Sequence, residues 1–411
     1  MKISLKLKSF FILAALLLPL KPVFGQPLTH KGYALAQLQY TQLLEQARDL
    51  SKYPRTTAKD GRLKYVSILD WTGGFWPGNL WYLYEYTKKP LWKKKAMEWT
   101  ASLEKNQFNT SNHDLGFMMY CSYGNGLRLT GKPEYKDVLI ESARSLSKRY
   151  NPIVGSIRSW NQRLSWDGKT MWHYPVIIDN MMNLELLFAA TKLSGDSSYR
   201  KIAIKHAENT MRDHIRPDYS TYHVINYDEH TGKVLNRQTC QGYADNSTWA
   251  RGQAWAIYGF TMVYRETKDE RFLKTAMKLA DFFLGHPNLP ADKIPYWDFN
   301  VNEKGYQPDW AYRPADDAVP PRDASAAAIV SSALLELSTY AGKKKEFYKQ
   351  NAIQMLQALS SPVYLAKAGS NNHFLIRHCT GSFPHGEEID VPLIYADYYY
   401  LEALLRLKNY K

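Results

Sequence analysis

Two aspartates stand at the head of apolar runs, Asp114 in NHDLGF and Asp179 in VIIDNMMNLELL. Carboxylates brought to one place can hold different pKa values, so that one gives a proton while the other stays ionised. Glycosidic chemistry commonly uses such a pair. Flat rings and forked polar groups surround them in the sequence. Trp71 and Trp76 lie in DWTGGFWPG, and His113 precedes Asp114. The run CQGYADNSTWARGQAWAIYGF, from Cys240 to Phe260, holds Gln241, Asp245, Trp249, Arg251, Gln253 and Trp255. Indole faces cover the C–H face of a sugar, and forked groups read its hydroxyls or carboxylate.

Each residue also has a plainer explanation. Asp114, Asp179, Asp323 and Asp390 all occupy positions where a helix N-cap belongs, and Asp is a favoured cap. A single histidine such as His223 serves structure more often than catalysis. Arg251 suits a buried partner for a helix end or an acidic side chain as well as it suits a forked contact to a substrate carboxylate. Asp316 and Asp317 resemble metal-binding carboxylates, but no spaced third ligand follows, which favours an acidic turn. No metal or organic cofactor is expected. What decides between chemistry and structure is whether the surrounding elements carry these residues to one mouth.

Those elements are announced by a repeated junction. KKPLWKKKA, GKPEYKDVL, GDSSYRKIA, KDERFLKTA and KKEFYKQNA each run from a polar turn into an aromatic (Trp92, Tyr135, Tyr199, Phe272, Tyr348), with an apolar residue four positions on. Gly131, Gly195 and Gly342 close the preceding helices, and Pro or Asp opens the next. After each turn one face is apolar and the other charged, as Tyr199, Ile202, Ala203, Ala207 and Thr210 show. Before it, runs such as DNMMNLELLFAATKLS and DASAAAIVSSALLELSTYA are apolar or small all round, so those helices are buried.

The pattern predicts six outer helices, near 31–52, 90–106, 133–150, 196–214, 269–285 and 344–359. Six inner helices are predicted near 76–87, 115–130, 179–194, 249–267, 323–341 and 391–409. Six of each, alternating, is the requirement of an all-α (α/α)6 barrel; an open helical solenoid is the alternative. Inner-to-outer turns are short. The outer-to-inner loops 53–75, 151–178, 215–248, 286–322 and 360–390 are long, which marks them as functional and places the pocket at their end. They add Trp160, Trp166, Trp172, His173 and Tyr227 to the candidates.

The opening 25 residues combine lysines with an apolar run from Phe10 to Leu20, the pattern of an export leader ending at Gly25. The run is short of the ~20 residues that a membrane span needs. A single barrel domain over 26–411 follows, expected in the periplasm or outside the cell. The leader holds four lysines and no acidic residue, so its removal takes the formal net charge from +14 to +10. That surplus favours acidic partners. Nucleic acid is not among them, since the chain shows no binding module. Only Cys121, Cys240 and Cys379 occur, at no metal-site spacing, so at least one is free within the chain.

With these segments in view, the chain resembles the unsaturated glucuronyl hydrolases of glycoside hydrolase family 88. The resemblance runs in order through DWTGGFWPG, NHDLGF, IDNMMNLELL, YHVINYD, the Cys240 to Phe260 run and HCTGSFPHGEEIDVPLIYADYYYLEAL. It implies an (α/α)6 barrel, in agreement with the helix count. It also implies an acidic substrate, an oligosaccharide left by a polysaccharide lyase and ending in a 4,5-unsaturated uronate. Asp179 would protonate C4 of the double bond and assist water at C5; the hemiketal formed then opens and releases the next sugar. Asp114 would stabilise the oxocarbenium-like centre or help its hydration. By the same resemblance His223, Gln241, Arg251 and Trp255 contact substrate, His113 stands beside the acids, and one of Trp71 and Trp76 stacks on the sugar. The loop from Ser360 to Ile389 is the expected place for the leaving sugar. Rival readings are an unsaturated rhamnogalacturonyl hydrolase acting on pectin fragments, a conventional inverting glycosidase, and a non-catalytic oligosaccharide-binding protein.

Overall fold

A computed structural model describes residues 25–311, 313 and 318–410. The leader up to residue 24 and the Asp316–Asp317 pair lie outside the described residues.

Twelve α-helices follow one another among these residues: α1 Gly25–Gln46, α2 Phe75–Thr87, α3 Pro90–Ser102, α4 Asn125–Thr130, α5 Pro133–Ser147 and α6 Leu184–Ser194. Then come α7 Ser197–Asp213, α8 Ala250–Thr267, α9 Glu270–Gly285, α10 Ala324–Ser338, α11 Lys345–Leu359 and α12 Ile394–Lys408. The punctuation is the expected one. Gly131 and Gly195 close α4 and α6 in left-handed conformation, Pro90 and Pro133 open α3 and α5, and Asp196 and Asp269 cap α7 and α9 through their side chains.

The helices alternate outer and inner. On outer α1 the residues Tyr33, Ala36, Tyr40 and Leu43 form one buried stripe, whereas inner α10 is buried over nearly its whole circumference. The ring closes between the first and last inner helices, where the Tyr82 hydroxyl donates to that of Tyr398 at 3.1 Å and Asn79 Nδ2 donates to the Ile394 carbonyl at 3.3 Å. The fold is an (α/α)6 barrel rather than an open solenoid. Its outer helix α1 begins and ends about six residues earlier than its periodicity suggested. No helix among the described residues is long and apolar enough to cross a membrane.

Two inner helices depart from α geometry where they begin. Gly116–Gly124 forms a π-helix that leads into α4, and Ile178–Asn183 forms a 3-10 turn that leads into α6. π-segments are frequently found at functional sites. These two starts carry Asp114 and Asp179.

Three of the long loops also contain strands where irregular chain was expected. β1 Tyr53–Thr57 pairs with β2 Leu63–Val66, β3 Tyr150–Asn151 with β4 Ser156–Ile157, and β5 Arg163–Leu164 with β6 Met171–Trp172. β7 Tyr174–Ile177, β8 Val224–Tyr227 and β9 Val234–Gln238 form an antiparallel sheet with β8 in the middle. The runs YPVI and VINY are buried at every position, so they show none of the alternation that announces a half-exposed strand.

Candidate active site

The three-stranded sheet delivers three candidate residues, Asp179, His223 and Gln241, at one end of its strands. β7 runs into Asp179, His223 immediately precedes β8, and β9 leads to Cys240 and Gln241. The sheet's last rung, from the Ile178 amide to the His223 carbonyl at 3.0 Å, fixes the aspartate and the histidine side by side. His223 Nε2 lies 3.7 Å from Asp179 Oδ2. Its Nδ1 accepts from the amides of Cys240 at 3.1 Å and Gln241 at 3.2 Å, so the proton of the neutral ring belongs on Nε2, toward Asp179. Burial first, and then the Arg251 charge, keep the ring neutral by holding its pKa well below the ordinary value.

His113 and Asp114 approach from the neighbouring inner helix. His113 Nε2 is 3.2 Å from Asp114 Oδ1 but not aligned for a hydrogen bond, and the backbone is held by the bond from the His113 amide to Ser159 O at 3.2 Å. Burial lowers the His113 pKa to about 3, helped by the charge of Arg149, so this imidazole is also neutral. Each of the two aspartate side chains keeps 14% of its surface accessible, which leaves both within reach of a ligand.

The two carboxyls experience different fields. Burial raises Asp179 to about 7, against the pull of Arg251, of its own backbone and of the Trp255 indole N–H. That N–H lies near the carboxylate without bonding it: Trp255 Nε1 and Asp179 Oδ2 are both buried and unpartnered. Asp114 is raised well above its ordinary value by burial, then by the negative charges of Asp179 and Asp70, with Arg149 opposing. In the ligand-free protein a shared negative charge therefore rests more easily on Asp179, which faces a cation. Ionisation of Asp179 thus makes Asp114 harder to ionise.

The four aspartates that looked alike as caps are now separated. Asp323 does cap α10, accepting from the Ser325 amide at 3.1 Å. Asp114 and Asp179 cap nothing with their side chains, and Asp390 accepts instead from His378 Nδ1 at 2.6 Å.

Arg251 is more fully engaged than a free fork would be. Nη1 donates to Asp323 Oδ2 at 2.6 Å and to Thr380 O at 2.5 Å, while Nη2 donates to Gln241 Oε1 at 3.1 Å and to the Gly381 carbonyl. The expected forked grip on a carboxylate is thus occupied by the protein itself, and what Arg251 offers the mouth is its charge. Its guanidinium lies 4.5 Å from the Trp249 ring, which in turn sits 4.4 Å from that of His223. This column ties Arg251, Gln241 and His223 into one wall.

The two tryptophans of DWTGGFWPG part company. Trp76 is fully buried between inner and outer helices, against Tyr40 and Trp99, and no sugar reaches it; as a stacking candidate it is withdrawn. Its period-matched place on α2 is a core position. Trp71 is only half-buried, just before that helix, where Asp70 accepts from the Thr72 amide at 2.9 Å and from Arg55 at 2.7 Å. Trp71 packs on Phe75, Phe117 and Tyr395, and Phe117 and Tyr399 in turn pack on Trp255. These rings make the floor of the mouth, with Trp255 wholly buried in it.

Among the loop residues, Trp172 and Tyr227 belong to the interior, bonded to Gln238 and Asp213, whereas Trp160 and Trp166 stay at the rim. The Trp166 ring lies tilted against that of His385, with their centres 3.5 Å apart. Arg149 was missed. It lies in the turn just after α5, held by the carbonyls of Arg158 and Thr110, and nothing in the neighbouring sequence signals that its charge reaches Asp114 and His113.

A cavity of about 780 Å³ opens at the opposite end of the barrel, between the closing turns of the inner helices. Its charged residues are largely paired with one another, Arg265 with Glu185 and Glu336, and Arg406 with Glu336 and Glu402. The unpaired carboxyls lie at the loop-rich end, where the long connections placed them.

Comparison with known proteins agrees with this geometry. Residues 45–411 match the model of Glycosyl Hydrolase Family 88. The chain belongs to that family. It is 48% identical over 381 residues, 92% of this chain and 90% of the relative, to an unsaturated glucuronyl hydrolase of Formosa agariphila. It is 33% identical to an unsaturated chondroitin disaccharide hydrolase of Streptococcus agalactiae, covering 86% of this chain and 85% of that one. A crystal structure of an unsaturated glucuronyl hydrolase specific for heparin superposes with a TM-score of 0.85 at 44% identity, covering 93% of this chain and 97% of the other. The family member described here is a glycoside hydrolase.

Proposed function

We propose that this glycoside hydrolase removes a 4,5-unsaturated uronate from the non-reducing end of lyase-generated glycosaminoglycan oligosaccharides by hydrating the vinyl ether. The observation that carries the reading is the pair Asp114 and Asp179, in direct ion-pair contact with no Arg or Lys among the described residues, raised by burial, and still open to a ligand. Family membership and the names of the relatives support the substrate class.

Asp179 is the proton donor in this reading. In the free protein Arg251 draws it toward ionisation, but an incoming uronate carboxylate offsets the Arg251 charge and lets Asp179 hold its proton. Delivery of that proton to C4 leaves positive charge at C5 and the ring oxygen, which the carboxylate partner and the neutral His223 do not oppose. Water then adds at C5 with a carboxylate taking its proton, and the hemiketal opens to release the neighbouring sugar. Trp71 stacks on the sugar, and Gln241 and His113 contact it from the two walls.

The test is loss of the ultraviolet absorbance of the conjugated alkene in a panel of lyase-derived disaccharides. Heparin-type substrates come first, since the heparin-specific structure is more similar in sequence than the chondroitin hydrolase. Turnover of pectic fragments alone would transfer the assignment to a rhamnogalacturonyl hydrolase; binding without alkene loss would make the protein a saccharide-binding module. We further propose export by way of the leader, to the periplasm. An intact residue 1 on the protein recovered from cells, found only in the cytoplasmic fraction, would refute that.

A further inference from the structure

The two aspartates belong to different inner helices, yet one side chain joins their supports. Asn183 is the last residue of the 3-10 turn that carries Asp179 and is completely buried. Its Oδ1 accepts from the Phe117 amide at 3.0 Å, three residues beyond Asp114 and inside the first turn of the π-helix. An amide there has no carbonyl of its own helix to bond, and a buried orphan of this kind is expensive to leave unmade. Asn183 supplies the missing acceptor from the neighbouring element.

The approach is as close as chain permits. A Cβ on Gly116 would stand 2.4 Å from Asn183 Cα and 2.7 Å from its Oδ1, so only glycine allows the π-helix to lie against the turn. The turn is pinned from its other side as well, because a Cβ on Gly259 of α8 would stand 2.5 Å from Met181 Cβ. The Asp179 turn therefore cannot shift away from the Asp114 helix without losing one contact or colliding with another.

We infer that Asn183 is a positioning residue which, with Gly116, sets the spacing of Asp114 and Asp179 and hence how strongly their protons are coupled. It touches neither substrate nor proton. A wider gap lets water between the carboxyls, which eases the burial that raises Asp179, and takes Asp114 further from the Asp179 charge; each effect lowers the pH at which a proton leaves.

The experiment measures kcat and KM against pH, together with Tm, for the full chain and four variants, using alkene absorbance. Asn183→Ala and Gly116→Ala break the joint in two chemically unrelated ways. Both are expected to lower kcat by roughly ten- to a hundredfold with KM within about twofold, and to move the alkaline limb of kcat/KM down by half a pH unit or more. Asn183→Asp keeps an acceptor oxygen in the same place and should recover most of kcat while the added charge moves the limb up. Asn125→Ala, at the start of α4 and beyond the π-helix, removes bonds to Cys121 O and the Tyr398 hydroxyl and serves as the control for lost stability. Its Tm should fall while its limb stays. If Asn183→Ala and Gly116→Ala lose Tm but keep the wild-type limb, or if Asn125→Ala moves the limb equally, the joint is merely structural and the inference fails. If one alanine variant does not fold, the other and Asn183→Asp still decide. The inference rests on the proposed turnover: wild-type protein inert on every disaccharide would overturn that reading first, whereas an active wild type with unmoved variants overturns only the role of Asn183.

Discussion

Replacing Asp179 with Asn should silence turnover and, at the same time, make the protein harder to unfold. Burial raises the Asp179 carboxyl from its ordinary 3.8 to about 7. The native chain therefore holds a proton that the unfolded chain has already given up, and stability falls as pH rises from about 4 to about 7, then stays level. About three pKa units at 1.36 kcal/mol each correspond to roughly 4 kcal/mol as an upper limit. Asn has nearly the same shape and cannot ionise, so the variant escapes that loss. With an unfolding entropy of about 2 cal/mol/K per residue, 4 kcal/mol in a chain of this length is a rise in Tm of roughly 5 °C. Scanning calorimetry at pH 4.5, 6 and 7.5 reads the effect directly. The gain should be small at pH 4.5 and fully present at pH 7.5, in a protein that no longer bleaches the alkene. A variant that is no more stable at pH 7.5, or whose gain is the same at all three pH values, would show that burial does not hold the proton on Asp179. Retained turnover would remove it from the role of donor.

Three further outcomes follow from the same geometry. Since Asp179 must carry its proton, kcat/KM should decline as pH rises through about 7, the value set by burial, while kcat should hold to higher pH because a bound uronate offsets Arg251; pH profiles of the two constants separate these limbs. Arg251→Met leaves Asp323 buried without its ion-pair partner and should cost about 3–5 kcal/mol in denaturant unfolding; in whatever folds, the alkaline limb should move up, because the charge that draws Asp179 toward ionisation is gone. Trp71→Ala should raise KM about tenfold at a smaller stability cost than Trp76→Ala, which should leave KM alone and cost about 3–5 kcal/mol.

The helical frame could be read from the chain because its punctuation is chemical. Glycine closes α4 and α6 in a conformation that other residues resist, and proline opens α3 and α5, so those boundaries fell within a residue or two. The sheet could not be read in this way, since strands buried on both faces lose the alternation that would mark them. The same limit applied to single residues. Trp71 and Trp76 sit five positions apart in one motif, and only packing shows that one faces the mouth and the other Tyr40 and Trp99. Asp323 and Asp179 both precede inner helices, and only their hydrogen bonds show that the first is a cap. Arg149 and Asn183 act through neighbours distant in sequence, Asp114 and the Phe117 amide, so no local pattern could single them out.

The aromatic floor decides which part of a polymer the protein can attack. Trp71, Phe75, Phe117, Trp255, Tyr395 and Tyr399 pack ring against ring across the barrel axis, with Phe117 and Tyr399 facing the far cavity on their other side. They plug the axis, so the mouth is a blind well and not a tunnel. A polysaccharide cannot thread through it, and an internal sugar cannot be lowered to the carboxyls without a chain end leading the way. A well of this shape suits a chain end, which is where the proposed reaction takes its unsaturated residue.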